Sequence, residues 1–165
     1  MKTDAKFSKD RLHRLCLSRN WDTNKPAVAF IGLNPSTADE NLDDTTIRRC
    51  VSFAQSWGCG SLYMLNLFSL RATDPNVMKA HVTPNTEENN QWLLELARQS
   101  EIVVAAWGNH GSHQGRDKDV MEKLGWMGLE IKCLGFNKDG SPKHPLYVPA
   151  SMPLVPFNST WADIW

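Results

Sequence analysis

At 165 residues the chain is the size of one domain, large enough to bury about two-thirds of its unfolded surface. Lys plus Arg and Asp plus Glu are both 18, so the formal net charge is zero, which argues against a protein that coats nucleic acid but not against an enzyme with a local basic patch. Cys16, Cys50, Cys59 and Cys133 lack CxxC spacing and are read as reduced thiols, no stretch is long enough to cross a membrane, and a cytoplasmic protein is expected.

Residues 1–10 are polar and are expected to form a flexible tail. Residues 13–21, HRLCLSRNW, alternate in the manner of a half-buried edge strand. A turn at 22–26 leads into 27–31, AVAFI, a short apolar run of the kind that forms a buried strand. Gly32-Leu33-Asn34-Pro35-Ser36-Thr37 follows as a turn, then a polar loop with Asp39, Glu40, Asp43 and Asp44, then a helix from about Thr45. Ile47, Val51 and Ala54 share one face of that helix, and Gly58 and Gly60 end it.

A second strand, 61–68, carries Asn66 near its end and runs into a turn-rich loop, 69–75. A helix over about 87–99 precedes a third interior strand, 101–107, which ends in the Gly- and His-rich loop 108–115. A helix over about 116–124, a strand at 129–134 and a Pro-rich loop at 137–149 complete the pattern, and the tail shows no clear period. Strands alternating with helices predict a single α/β domain, three-layer αβα, with a mainly parallel central sheet.

The polar residues of interest fall at the carboxyl ends of the predicted strands, where ligands of open α/β sheets bind. Asn34 cannot titrate, but its side-chain oxygen can hold a water; the alternative is ordinary Asn-Pro turn chemistry. His144 can donate to a developing anion, with Lys143 beside it for an anion or phosphate, or is a surface-loop histidine. Asn66 can read a base edge or satisfy buried backbone groups. One of Asp43 and Asp44 is expected to cap the helix and the other to act on a cation or a water. Arg48, Arg49, Arg71, Arg116, Lys118 and Lys138 form either a phosphate-contacting rim or a solvated face. His110 and His113 lack a convincing third ligand, so neither a metal nor a cofactor is expected. No Walker loop, GxGxxG or GxSxG is present.

GLNPSTADENLDDTTIRRC, NLFSLRATDP, AWGNHG, GRDKDV and KDGSPKHPLYVP together resemble the signature of an uncharacterised domain family of bacteria and their phages, over about residues 11–149. More distantly, the order of motifs resembles the uracil-DNA glycosylase superfamily. That resemblance implies a uracil-DNA-glycosylase-like fold and a DNA glycosylase acting on a flipped, modified or mismatched pyrimidine. Gly32-Leu33-Asn34-Pro35 then carries the water-orienting Asn34, and Asn66 reads the base. Ala106-Trp107-Gly108 matches a later strand end, and Lys143-His144-Pro145-Leu146 supplies the histidine that stabilises the departing base. Asp43 or Asp44 would stabilise the sugar cation, while Lys143 and Arg71 hold phosphates. Ser36, Thr37 and Asn109 complete the expected substrate surface, with Leu146 or Tyr147 as the intercalating residue. The sequence departs from the superfamily in lacking an obvious stacking aromatic after the first motif and in carrying the unaligned Asp43-Asp44 pair. The alternatives are an N-glycosidic hydrolase or transferase of free nucleotides or nucleosides, and a non-catalytic nucleic-acid or nucleotide sensor in phage defence or counter-defence.

Overall fold

A computed structural model describes residues 1–157 of the chain. Its strands are β1 (Lys2–Phe7), β2 (Arg14–Asn20), β3 (Ala27–Gly32), β4 (Ser61–Asn66), β5 (Ile102–Ala105), β6 (Ile131–Cys133) and β7 (Val155–Pro156). The helices are α1 (Thr45–Ser56), α2 (Pro75–Ala80), α3 (Glu87–Arg98) and α4 (Arg116–Trp126). The strands form one mixed sheet in the order β1-β2-β4-β3-β5-β6-β7. The four strands from β4 to β6 in that order are parallel, and β1, β2 and β7 add to them antiparallel.

The period-2 alternation of β3 divides its side chains between two cores. Val28 and Phe30 pack with Ile47, Cys50, Phe53 and Ala54 of α1. Ala29 and Ile31 pack on the other face with Leu93, Leu96 and Ala97 of α3 and Val120, Met121 and Leu124 of α4. Because β4 and β5 lie on opposite sides of β3, their crossovers put helices on both faces of the sheet and leave a crevice at the carboxyl ends of the strands. All four cysteines are buried free thiols, and burial raises their pKa values. No helix among the described residues is long and apolar enough to cross a membrane.

Two expectations are corrected. Residues 2–7 are not a loose tail: they pair with β2 from Lys2 opposite Asn20 to Phe7 opposite Arg14, so β2 is an interior strand. Only Ala5 and Phe7 of β1 turn towards the protein, so it is held by backbone pairing, which an apolar-periodicity reading does not register. The sheet is mixed: its four central strands are parallel, as expected, and the antiparallel pairings lie towards its edges. The loop after β4 contains α2, which begins with Asp74 accepting from the Asn76 amide and Pro75 at the first helical position, a legible start signal.

A candidate ligand cavity at the strand ends

A cavity of about 520 Å³ opens where β3, β4 and β5 end, within the size range of small-molecule sites. One side is formed by the turn after β3, another by the start of α1, a third by the loop after β5, and the last by the 3-10 turn Pro145–Tyr147 with His144 before it. The convergence expected from the sequence is realised for Gly32, Leu33, Asn34, Pro35, Ser36 and Asn66. Asp44, Trp107, Gly108, Asn109, His144, Leu146 and Tyr147 line it as well.

Asn34 is held by its amide nitrogen, which faces the carbonyls of Ala72 at 2.8 Å and of Leu70 and Pro35 at 3.2 Å each. All three partners are acceptors, so the amide orientation is set: Nδ2 points into the protein and Oδ1 accepts from no described residue. The donor end of Asn34 stitches the loop after β4 to the turn after β3, and its acceptor end is unspent on a cavity-lining residue.

Asn66 is 3% exposed, and its Oδ1 accepts from Nη2 of Arg14 at 3.2 Å. If Asn66 reads a base edge it can do so only as a donor, because its acceptor is already engaged and Nδ2 donates to no described residue. Gly32 makes room for it: a Cβ there would sit 2.8 Å from the Met64 methyl and 3.0 Å from Asn66 Nδ2. Behind the site, Asn89 donates to the Asn66 carbonyl at 3.1 Å.

His144 caps its own 3-10 turn, with the Leu146 amide donating to Nδ1 at 3.2 Å. In the neutral ring Nδ1 is thus the acceptor and Nε2 carries the hydrogen. Burial pushes the imidazole pKa below its usual value and the Asp44 carboxylate partly opposes this, so the neutral donor form is favoured. Arg49, read as part of either a phosphate rim or a solvated face, instead fixes this turn from α1: its guanidinium donates to the carbonyls of Pro145, at 3.2 Å, and Val148.

The two adjacent aspartates separate. Asp44 caps α1 by accepting from the Ile47 amide at 2.9 Å and lines the cavity with the rest of its carboxylate. Asp43 lies outside the cavity lining and pairs with buried Arg19 at 2.8 Å, so the structure gives it an anchoring contact and not a catalytic position. Thr37, Arg71, Lys143 and Pro145 are likewise not brought to the lining. Arg71 stacks over Phe7 at 4.8 Å and donates to the Arg11 carbonyl at 3.3 Å; Lys143 pairs through its backbone with Gly135. Arg116 is buried and donates to the Leu67 carbonyl at 2.7 Å, which removes it from any rim.

The loop after β5 is shaped by Trp107, whose ring lies so close to Gly111 that a Cβ there would be 2.3 Å from Cδ1. His110 meets Lys79 of α2 at 2.8 Å, whereas His113 packs on Phe68 at 5.6 Å, so the two histidines face different partners. Among the described residues no three His, Cys, Asp or Glu side chains cluster as metal ligands.

Arg14, Thr45, Thr46, Met64 and Thr73 also line the cavity and were not singled out as site residues by the sequence, and His110, weighed there only as a metal ligand, lines it as well. Arg14 had a signal of a kind: it is a charged residue directly before the apolar run Leu15-Cys16-Leu17, on the face it shares with Cys16.

The family model described as a protein of unknown function, DUF1643, matches residues 14–146, which takes in β2 through the His144 turn and hence nearly all of this cavity. No curated protein and no solved structure matches the chain.

Proposed function

The chain belongs to the DUF1643 family of proteins of unknown function. We propose N-glycosidic bond hydrolysis on a base flipped out of DNA, a reading supported by the order of sequence motifs, which resembles that of the uracil-DNA glycosylase superfamily. The observation that carries the reading is the joint placement of His144, Asn34 and Asp44 on one cavity, with an Nε2–H donor, an unspent amide oxygen and a carboxylate. In the proposed step the C1′–N bond breaks and its electron pair leaves with the base, whose oxygen accepts from His144 Nε2–H. Water held by Asn34 Oδ1 forms the new C1′–O bond, and its proton passes through solvent to the base nitrogen. Asp44 stabilises the positive charge that builds on the sugar.

A base in a duplex can reach such a cavity only by leaving the stack, at a cost of a few kcal/mol. Leu146 and Tyr147 support a nucleic-acid substrate, because both line the cavity while Leu146 is 37% and Tyr147 81% exposed. Large apolar side chains at a pocket mouth are placed to fill the gap that a flipped base leaves. Neutral overall charge favours the second reading, a free nucleotide or nucleoside cleaved by the same groups.

The test is base release from DNAs carrying uracil, mismatched thymine or modified pyrimidines, beside free nucleotides. Wild type is expected to leave alkali-labile abasic sites on at least one DNA. His144→Ala, which removes the proposed donor, is expected to be slower by about 10²–10³. Abasic sites from none of the DNAs, with turnover of a free nucleotide, would transfer the reading to the second substrate class. Turnover undiminished in His144→Ala would remove the mechanism.

A further inference from the structure

Three arginines are buried in this protein: Arg14 at 3% exposure, Arg19 at 1% and Arg116 at 7%. Two of them have a carboxylate in contact, Asp43 at 2.8 Å from Arg19 and Asp119 at 3.1 Å from Arg116. Arg14 has none among the described residues. Its Nη1 donates to the Ala38 carbonyl at 3.1 Å and its Nη2 to Asn66 Oδ1 at 3.2 Å, both neutral acceptors, and its buried Nε has no partner. It is also the one of the three that lines the cavity.

A guanidinium taken out of water without a counter-ion is costly, and proteins retain such an arrangement where a ligand or reacting group supplies the missing charge. The cost is visible in its acidity: burial lowers the Arg14 pKa to about 10, with Asp44 opposing the shift from a distance and Arg71 and Arg19 adding to it. Asp44 does not replace a counter-ion, since it makes no ion pair with Arg14 and gives one oxygen to the Ile47 amide. Two of the neighbouring polar groups, Asn66 and His144, are complementary to the same charge. Asn66 has its oxygen engaged by Arg14 and only its Nδ2 donor left, and His144 offers Nε2–H.

We propose that Arg14, with Asn66 beside it, forms an anion subsite inside the cavity, and that the ligand brings an oxyanion to it. Two sources share that chemistry: a carboxylate on the base, or the phosphate of a nucleotide. The subsite stands on the placement of Arg14 and does not require the cavity to turn over, so it survives failure of the glycosidase reading and is tested by binding alone.

The experiment is calorimetric titration of the full chain with two matched pairs, uracil against 5-carboxyuracil and deoxyuridine against deoxyuridine monophosphate. Base release is monitored in parallel so that binding and turnover are read separately. At least one anion is expected to bind more tightly than its neutral parent by roughly ten- to a hundredfold, the gain of a charge-assisted hydrogen bond. The member of the pair that gains identifies the source. Arg14→Met is expected to abolish that advantage, bringing each anion and its neutral parent to equal affinity. Arg14→Gln, which keeps a donor and loses the charge, serves if Arg14→Met does not fold, and should lose the anion preference equally. Equal affinity for anion and neutral parent in both pairs of the wild type would overturn the proposal. So would an anion preference that persists in both variants.

Discussion

Replacing Asn34 by Asp tests whether its amide is the clip described above. The substitution exchanges Nδ2 for a carboxylate oxygen facing the carbonyls of Ala72, Leu70 and Pro35, at the 2.8 to 3.2 Å now occupied by N–H···O bonds. An amide nitrogen has two hydrogens, so two good hydrogen bonds are lost, each contributing about 1 kcal/mol. The oxygens left facing one another are short of donors, which adds a desolvation and repulsion cost of similar size. The expected loss is about 2–4 kcal/mol at pH 8, or roughly 4–16 °C in Tm for a chain of this length. The introduced carboxyl can recover one hydrogen bond by holding a proton, so its folded pKa must lie above the unfolded value of about 3.9. Its favourable contribution is therefore present at low pH and is lost as pH rises through the folded pKa. Urea unfolding at pH 5 and pH 8 is the assay, with Asn34→Ala as the reference that removes the donors without adding a charge. The deficit of Asn34→Asp relative to Asn34→Ala should widen from pH 5 to pH 8. A pH-independent difference, or wild-type stability for Asn34→Asp at pH 8, would refute the assigned amide orientation.

Gly32→Ala places a methyl 2.8 Å from the flexible end of Met64, which can yield, and 3.0 Å from Asn66 Nδ2, which is tied to Arg14. Ligand affinity in a titration should therefore fall by more than the accompanying destabilisation of about 1–3 kcal/mol in urea unfolding. Asp43→Ala leaves buried Arg19 with carbonyl partners alone and should lower stability by about 1–2 kcal/mol, discounted because Asp43 is itself 35% exposed, without changing the activity of the cavity. Asp44→Asn retains the cap on Ile47 and should do the reverse, a stability change within about 1 kcal/mol and a fall in turnover; equal behaviour of the two aspartate variants in paired melts and rate assays would contradict their separation. His144 and His13 both have pKa values held below the ordinary 6.5 by burial. A depressed folded pKa means that the unfolded state takes up protons first, so stability is fully present above pH 6.5 and declines as pH falls through the folded values. Denaturant midpoints from pH 8 to pH 5 should show that decline, and it should be smaller in a His144→Gln variant.

The alternation of β3, the helix α1 with its aspartate cap, and the succession of strand and helix from β3 to β6 were legible because each is a local pattern of side-chain burial. That legibility carried the site with it. In a parallel sheet every strand end faces the same way, so Asn34, Asn66 and Trp107 were placed together by topology alone, before any contact was known. Elements that owe little to apolar periodicity were not legible. β1 is held by backbone pairing, and β7 is a two-residue strand carried by its partner β6.

Within the site the sequence supplied residue types, whereas the tertiary structure decided which atoms were left to act. Asn34 and Asn66 are the same residue type at neighbouring strand ends, Asn66 closing β4 and Asn34 two residues beyond β3. One has its donor consumed by three carbonyls and the other its acceptor consumed by an arginine. Asp43 and Asp44 are adjacent and chemically identical, yet one neutralises a buried arginine and the other lines the cavity. Arg14 is one arginine among several in the sequence, and only the fold shows it buried without a carboxylate where Arg19 and Arg116 each have one. Hydrogen-bond partners and counter-ions are contributed by segments distant along the chain, as Arg49 holding Pro145 illustrates. Composition and periodicity record none of those pairings, since they depend on which segments meet and not on what each contains.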